Sequence, residues 1–158
     1  MQVLISNDQR EFFVDCQLLE TQCRNILFFL ECENQELSVL LTNDKKIQEL
    51  NKKYRGQNQA TDVLSFPQSE GEESEPNVHL MGDVVISMMT AKRQSVEHGL
   101  SFDEEIILLL IHGILHLLGF EHERSEEEAN LMKIKTRELF NQVYPNKKPI
   151  EPCSLYSD

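Results

Sequence analysis

The sequence predicts an α+β domain with one mixed sheet of about four strands, surrounding helices and a buried central helix. Three observations predict this class. Four short β-rich runs are separated by longer stretches with apolar residues at helical spacing. The last two of these runs flank an acidic, turn-rich stretch, as two paired strands would. One segment, Ile106 to Leu118, has ten aliphatic residues among its thirteen, so it is apolar all round and belongs in the middle of the domain.

The elements follow in order. QVLIS at 2–6 reads as a strand. Residues 14–32 place Val14, Leu18, Leu19, Ile26, Leu27 and Leu30 on one helical face. ELSVLLT at 36–42 reads as a second strand. Asn43 can cap a helix over 43–55 that carries Ile47, Leu50 and Tyr54 and stops at Gly56. DVLSF at 62–66 is a third strand, ended by Pro67. QSEGEESEPNV at 68–78 reads as an exposed loop, and GDVVIS at 82–87 as the fourth strand. A helix over 87–99 closes on Gly99. Ser101 and Glu104 form a capping box that opens the apolar helix, which stops at Gly119. Ser125 and Glu128 form a second box, opening a helix to about Val143. The expectation is one catalytic domain over 1–143 and a Pro-rich, poorly ordered tail over 144–158.

The 158 residues are enough for a real core. The formal net charge of −12 argues against nonspecific wrapping of long nucleic acid, which is driven by neutralising phosphates. A local basic site is still allowed, because charges beyond roughly 8–10 Å are mostly screened at physiological salt. Cys16, Cys23, Cys32 and Cys153 contain no C-x-x-C pair, so they read as reduced thiols in a cytoplasmic protein. The N-terminus lacks the basic and apolar regions of a signal peptide. The greasiest segment is too short to span a bilayer, so no membrane association is expected.

HGILHLLGFEH, residues 112–122, puts three of the five histidines into that apolar segment or just beyond it. Imidazoles are costly to bury unless their ring nitrogens are satisfied. His112 and His116, at i and i+4, share a helix face and are separated by roughly 6 Å of rise. His122 follows the chain reversal at Gly119 and can fold back over that face. Three imidazoles on one ion, with a fourth position open, is the arrangement of a catalytic zinc site. His79 and His98 lack such company and read as ordinary: one beside the acidic loop, the other at a helix end that favours positive charge.

The spacing H-x-x-x-H-x-x-G-x-x-H is that of the metzincin proteases, so the fold is expected to be zincin-like. Those enzymes place a glutamate directly after the first histidine, as a base. Here Gly113 stands there, and glycine accepts no proton. A bound metal could still lower the pKa of its water towards about 7 or polarise a phosphoryl oxygen. Arg55 allows two readings: a phosphate holder, through two parallel hydrogen bonds, or a surface cation at a helix C-terminus. Lys52, Lys53, Lys92 and Arg93 could extend a basic patch around it. Asp62, Asp83 and Ser65 read as backbone-bonding residues, with no nucleophile-and-base pair among them.

The histidine stretch resembles the signature HG-x-LHL-x-G-[YF]-[DE]-H of the YbeY family of bacterial rRNA maturation endoribonucleases. LNKKYRG at 50–56, TDVLSFP at 61–67, GDVVIS at 82–87 and RQ at 93–94 extend the likeness across most of residues 50–122. Glu121 departs from it, since the family usually has Asp there. From an outer shell it could orient a ligand. The resemblance implies a zinc-dependent, single-strand-specific endoribonuclease acting in small-subunit rRNA end processing and ribosome quality control. It implies one Zn²⁺ on His112, His116 and His122, and a functional role for Arg55. It implies RNA, a small-subunit ribosomal protein and an Era-type GTPase as partners. The rivals are a metallopeptidase or other metal-dependent hydrolase, and a nonenzymatic ribosome-assembly factor whose metal is structural.

Overall fold

A computed structural model describes residues 2–68 and 79–145. Residues 69–78 of the expected acidic loop, and the tail from 146 onwards with Cys153, lie outside the described residues. The strands are β1 (Gln2–Asn7), β2 (Gln35–Thr42), β3 (Val63–Pro67) and β4 (His79–Ser87). The helices are α1 (Cys16–Phe29), α2 (Asp44–Arg55), α3 (Met88–His98), α4 (Phe102–Leu117) and α5 (Glu126–Val143). The expected α+β class with one mixed four-stranded sheet is what is found.

The strand order is β1-β2-β4-β3. β1 and β4 both run parallel to β2, while β3 runs antiparallel to β4. The strand ends at Pro67, as expected, with Pro67 itself its last residue, opposite Gly82. β3 is an edge strand, where a missing N–H breaks no ladder.

Alternation along the strands divides the core between two faces. Leu37, Val39 and Leu41 of β2, with Val84 and Ile86 of β4, meet α1, α4 and α5 in the main core. Val85 and Leu64 point the other way and pack with Ile47 of α2 in a smaller core. α2 therefore lies on the opposite face from α4, and its last residues reach the end of β3.

Side chains fix the helix starts. Asp15 accepts from the Leu18 N–H at 3.1 Å, which delays α1 by two residues relative to its apolar pattern. Asn43 accepts from the Lys46 N–H at 2.8 Å. Ser101 and Glu104 complete the reciprocal capping box that opens α4. The box expected at Ser125 is only half made. Ser125 accepts from the Glu128 N–H, but the Glu128 carboxylate turns to Arg124 at 3.3 Å.

α4 is the central helix. Every residue from Glu104 to Ile111 is buried, as are Gly113, Ile114 and Leu115. Each buried Ile or Leu stabilises by roughly 1.5–3 kcal/mol, so this helix is the most strongly held element. Among the described residues, no helix is long and apolar enough to cross a membrane. Cys16, Cys23 and Cys32 are free thiols, and burial pushes the Cys23 thiol up to about 12.

Candidate metal centre

The last turn of α4 presents His112 and His116 on its one open face. The helix ends in a Schellman motif: the Gly119 N–H donates to the His116 carbonyl at 3.0 Å, and the Phe120 N–H to the Leu115 carbonyl at 3.0 Å. Gly119 takes φ +95°, which glycine adopts without penalty. The reversed chain then carries His122 back over the same face.

The three rings form one cluster. Centroids of His112 and His116 are 4.4 Å apart, and His122 lies 5.4 Å from the first and 5.5 Å from the second. The Nε2 atoms of His112 and His116 approach to 2.9 Å. One nitrogen from each ring lies within 4.8 Å of the others, and among the described residues these three side chains form a group that could hold a metal ion. Nitrogens bound to one tetrahedral zinc stand roughly 3.3 Å apart, which lies inside this spread. The donor set thus fits a borderline-soft cation.

Electrostatics favour neutral, ligand-ready rings. Burial, then the neighbouring His116 and His122, pushes His112 down to about 3. Burial also lowers His116, while the Glu121 carboxylate works against that shift. Glu121 Oε2 stands 3.6 Å from His116 Nδ1, the nitrogen turned away from His112. That is beyond direct hydrogen-bond range, but on the side from which a carboxylate orients a ligating ring.

The cluster lies on one wall of a cleft of about 530 Å³. Arg55, at the C-terminal end of α2, lines the same cleft. Gln57, Gln59 and Thr61 continue its wall from the loop after α2, and Asp62 and Ser65 line it from around β3. Glu121 and Glu123 add two further carboxylates. The Asp62 carboxylate accepts from the Val63 N–H at 2.7 Å, and the Ser65 hydroxyl donates to the Gly113 carbonyl at 2.9 Å. Ser65 therefore braces helix against strand.

Gly113 has a positive reason to be glycine. A Cβ there would stand 2.6 Å from Val84 Cγ1 and 3.3 Å from Ser65 Oγ. α4 crosses the sheet too closely at this point for any side chain, a protease-type glutamate included.

One sequence reading needs correction. The lysines and Arg93 do not extend a basic patch into the cleft. Lys53 lies over the Tyr54 ring, Lys92 over Phe102, and Arg93 pairs with Asp44 at 2.9 Å. Among the described cleft residues, Arg55 is the one Lys or Arg. His98 does end α3, as expected, and it is an ordinary hydrogen-bonded histidine. It is 8% exposed, and its Nδ1 lies 2.7 Å from Glu105 Oε1, joining α3 to α4. Their seven-residue separation gave no local sign of this pair. Asp83 is exposed on β4, and burial nonetheless raises its carboxyl against the opposing hydrogen bond from Ser38.

The family described as "Endoribonuclease YbeY" matches residues 4–144. The chain belongs to the YbeY family. An Endoribonuclease YbeY of Persephonella marina is 43% identical over 141 residues, covering 89% of this chain and 92% of that one. The Aquifex aeolicus relative of the same name is 51% identical over 114 residues, covering 72% of this chain and 71% of its own. The solution structure of a Thermotoga maritima protein superposes with a TM-score of 0.62 at 27% identity, over 90% of this chain and 89% of that one. The YbeY match contains the whole cleft, from Arg55 to Glu123.

Proposed function

We propose that this chain is a zinc-dependent endoribonuclease that cuts single-stranded RNA during small-subunit rRNA maturation and ribosome quality control. Family membership assigns the enzyme class: endoribonuclease, a hydrolytic nuclease whose relatives function in rRNA maturation. The observation that carries the finer reading is the placement of three imidazoles and Arg55 around one cleft.

His112, His116 and His122 would hold one Zn²⁺. The bound ion supplies Lewis-acid stabilisation of charge at a phosphoryl oxygen. Arg55 binds the scissile phosphate through its planar fork. Glu121 holds His116 in orientation from the far ring nitrogen. Ser65 is committed to the Gly113 carbonyl and is not the nucleophile. An unpaired strand can enter such a cleft with its bases splayed, which a stacked duplex cannot do.

The net charge of −12 and the cleft carboxylates oppose unaided capture of RNA. Delivery by partners on the assembling ribosome, a small-subunit ribosomal protein and an Era-type GTPase, resolves that conflict. It places the enzyme in the cytoplasm, where the free thiols are stable.

Purified protein should cut single-stranded RNA and leave duplex RNA and casein intact, and a chelator should stop the cleavage. His116→Ala should lose bound zinc and RNA cleavage together. Full nuclease activity in metal-free His116→Ala protein would overturn the proposal.

A further inference from the structure

We propose that Gln57 and Gln59 are specificity-determining residues that read base edges of the RNA strand next to the scissile phosphate. The inference rests on the endoribonuclease reading above and assigns the cleft its mode of substrate selection.

The charge of the cleft sets the problem. Arg55 can take one phosphate, but Asp62, Glu121 and Glu123 line the same space. Neighbouring phosphates of a bound strand meet carboxylates there, and among the described residues no cation-lined track continues from Arg55. A strand held by successive phosphates needs such a track. Stacking is not the substitute either. Among the described lining residues there is no Phe, Tyr or Trp to act as a base platform. What remains are groups that hydrogen-bond uncharged parts of the nucleotide.

Two side-chain amides occupy that role. Gln57 and Gln59 line the cleft on the chain leading from Arg55 to β3. Each carries a donor and an acceptor side by side, matching the edges that unpaired bases expose. Their own mutual bond is long, with Gln59 Nε2 donating to Gln57 Oε1 at 3.5 Å, so little is lost when a base replaces it.

The loop that presents them is fixed from beneath. Asn51 of α2 is 2% exposed, and its Nδ2 donates to the Gln59 carbonyl at 2.9 Å. The Gln57 N–H donates to the Asn51 carbonyl at 3.3 Å, and Gln48 Nε2 donates to Asn58 Oδ1 at 3.1 Å. One helix therefore sets both the phosphate-facing Arg55 and the two amides. That common support is what keeps base reading in register with the cut.

The test compares cleavage of a randomised single-stranded RNA pool by the zinc-loaded wild type and by two double variants, with cut sites read by sequencing. Wild type should cut with a clear base preference. Gln57→Ala/Gln59→Ala should keep its zinc and flatten that preference by roughly tenfold, the worth of a well-made base contact. Gln57→Glu/Gln59→Glu keeps the shape but replaces donors with acceptors, so its preference should move to different bases. Both residues are exposed, so neither change endangers folding. An unaltered cut-site profile in both variants, or a wild type without preference, would overturn the base-reading inference and leave the nuclease assignment standing. Failure of the wild type to cut any of the pool would sink the endoribonuclease reading, and this inference with it.

Discussion

At the N-terminal end of α4, Glu105 meets His98 of α3. Two turns further on, His112 and His116 meet His122. Both clusters put imidazole against the same greasy helix, and they do opposite things with it. Glu105 is fully buried, and its bond to His98 closes the α3–α4 interface. In the second cluster the Glu121 carboxylate stands farther off, 3.6 Å from His116 Nδ1, and the rings open onto a cleft. Burial with a charge partner turns histidine into a clamp. Burial among other histidines favours neutral rings at His112 and His116, and the three side chains converge their nitrogens on one point.

The sharpest way to break this contrast is to remove one histidine from each end. His98→Ala leaves a buried carboxylate unpaired, which should cost roughly 3–5 kcal/mol of stability in denaturant unfolding. Zinc content per folded chain should stay unchanged. Loss of zinc in this variant would mean that the two ends are one unit, against the account.

Arg55→Ala should lower kcat/KM on single-stranded RNA by roughly 10²–10³-fold, the effect of removing one preorganised charge-stabilising donor. Its unfolding midpoint and zinc content should match those of wild type, because Arg55 lies outside the group of three imidazoles that would hold the ion. A variant with full activity would return Arg55 to the role of a surface cation at a helix end.

Gly113→Ala tests the close helix–sheet crossing between the two clusters. The added methyl meets Val84 at 2.6 Å, so roughly 1–3 kcal/mol should be lost to overpacking. An unchanged midpoint would show that α4 can retreat from the sheet.

The last contrast is in pH. In metal-free protein, His112 ionises near 3 and not at its ordinary 6.5. Its contribution to stability is complete above 6.5 and is lost as pH falls towards 3, because the unfolded chain takes the proton first. Glu105 is shifted upward, chiefly by burial, so its contribution is complete in acid and is lost as pH rises. The two ends of α4 therefore slope in opposite directions. Glu105→Gln should remove the loss that sets in as pH rises above the ordinary carboxylate value of 4.5, and leave the loss due to His112 unchanged. A His112 imidazole resonance titrating near 6.5 in metal-free protein would contradict the buried cluster.

The local features were legible in the sequence because their causes are local. Ser101, Glu104 and Gly119 announce both ends of α4, and the i, i+4 spacing of His112 and His116 places them on one face. The causes that were not legible act between distant segments. β3 and β4 pair across the acidic stretch as expected, but nothing inside β4 says that β2 takes its other side. Gly113 reads as a missing base until Val84, 29 positions earlier, is seen against it. The His98–Glu105 pair needs two helices folded against each other. Gln57 and Gln59 carry no local signal, and only the fold brings them to the wall of the cleft.

The central claim is that His112, His116 and His122 share one ion. A zinc-loaded crystal with data collected at the metal's absorption edge tests it directly. The account predicts a single peak about 2.0–2.1 Å from one nitrogen of each ring, with Arg55 lining the same cleft. A peak held instead by Glu121 and Glu123, or rings turned away from one another around no ion, would contradict it.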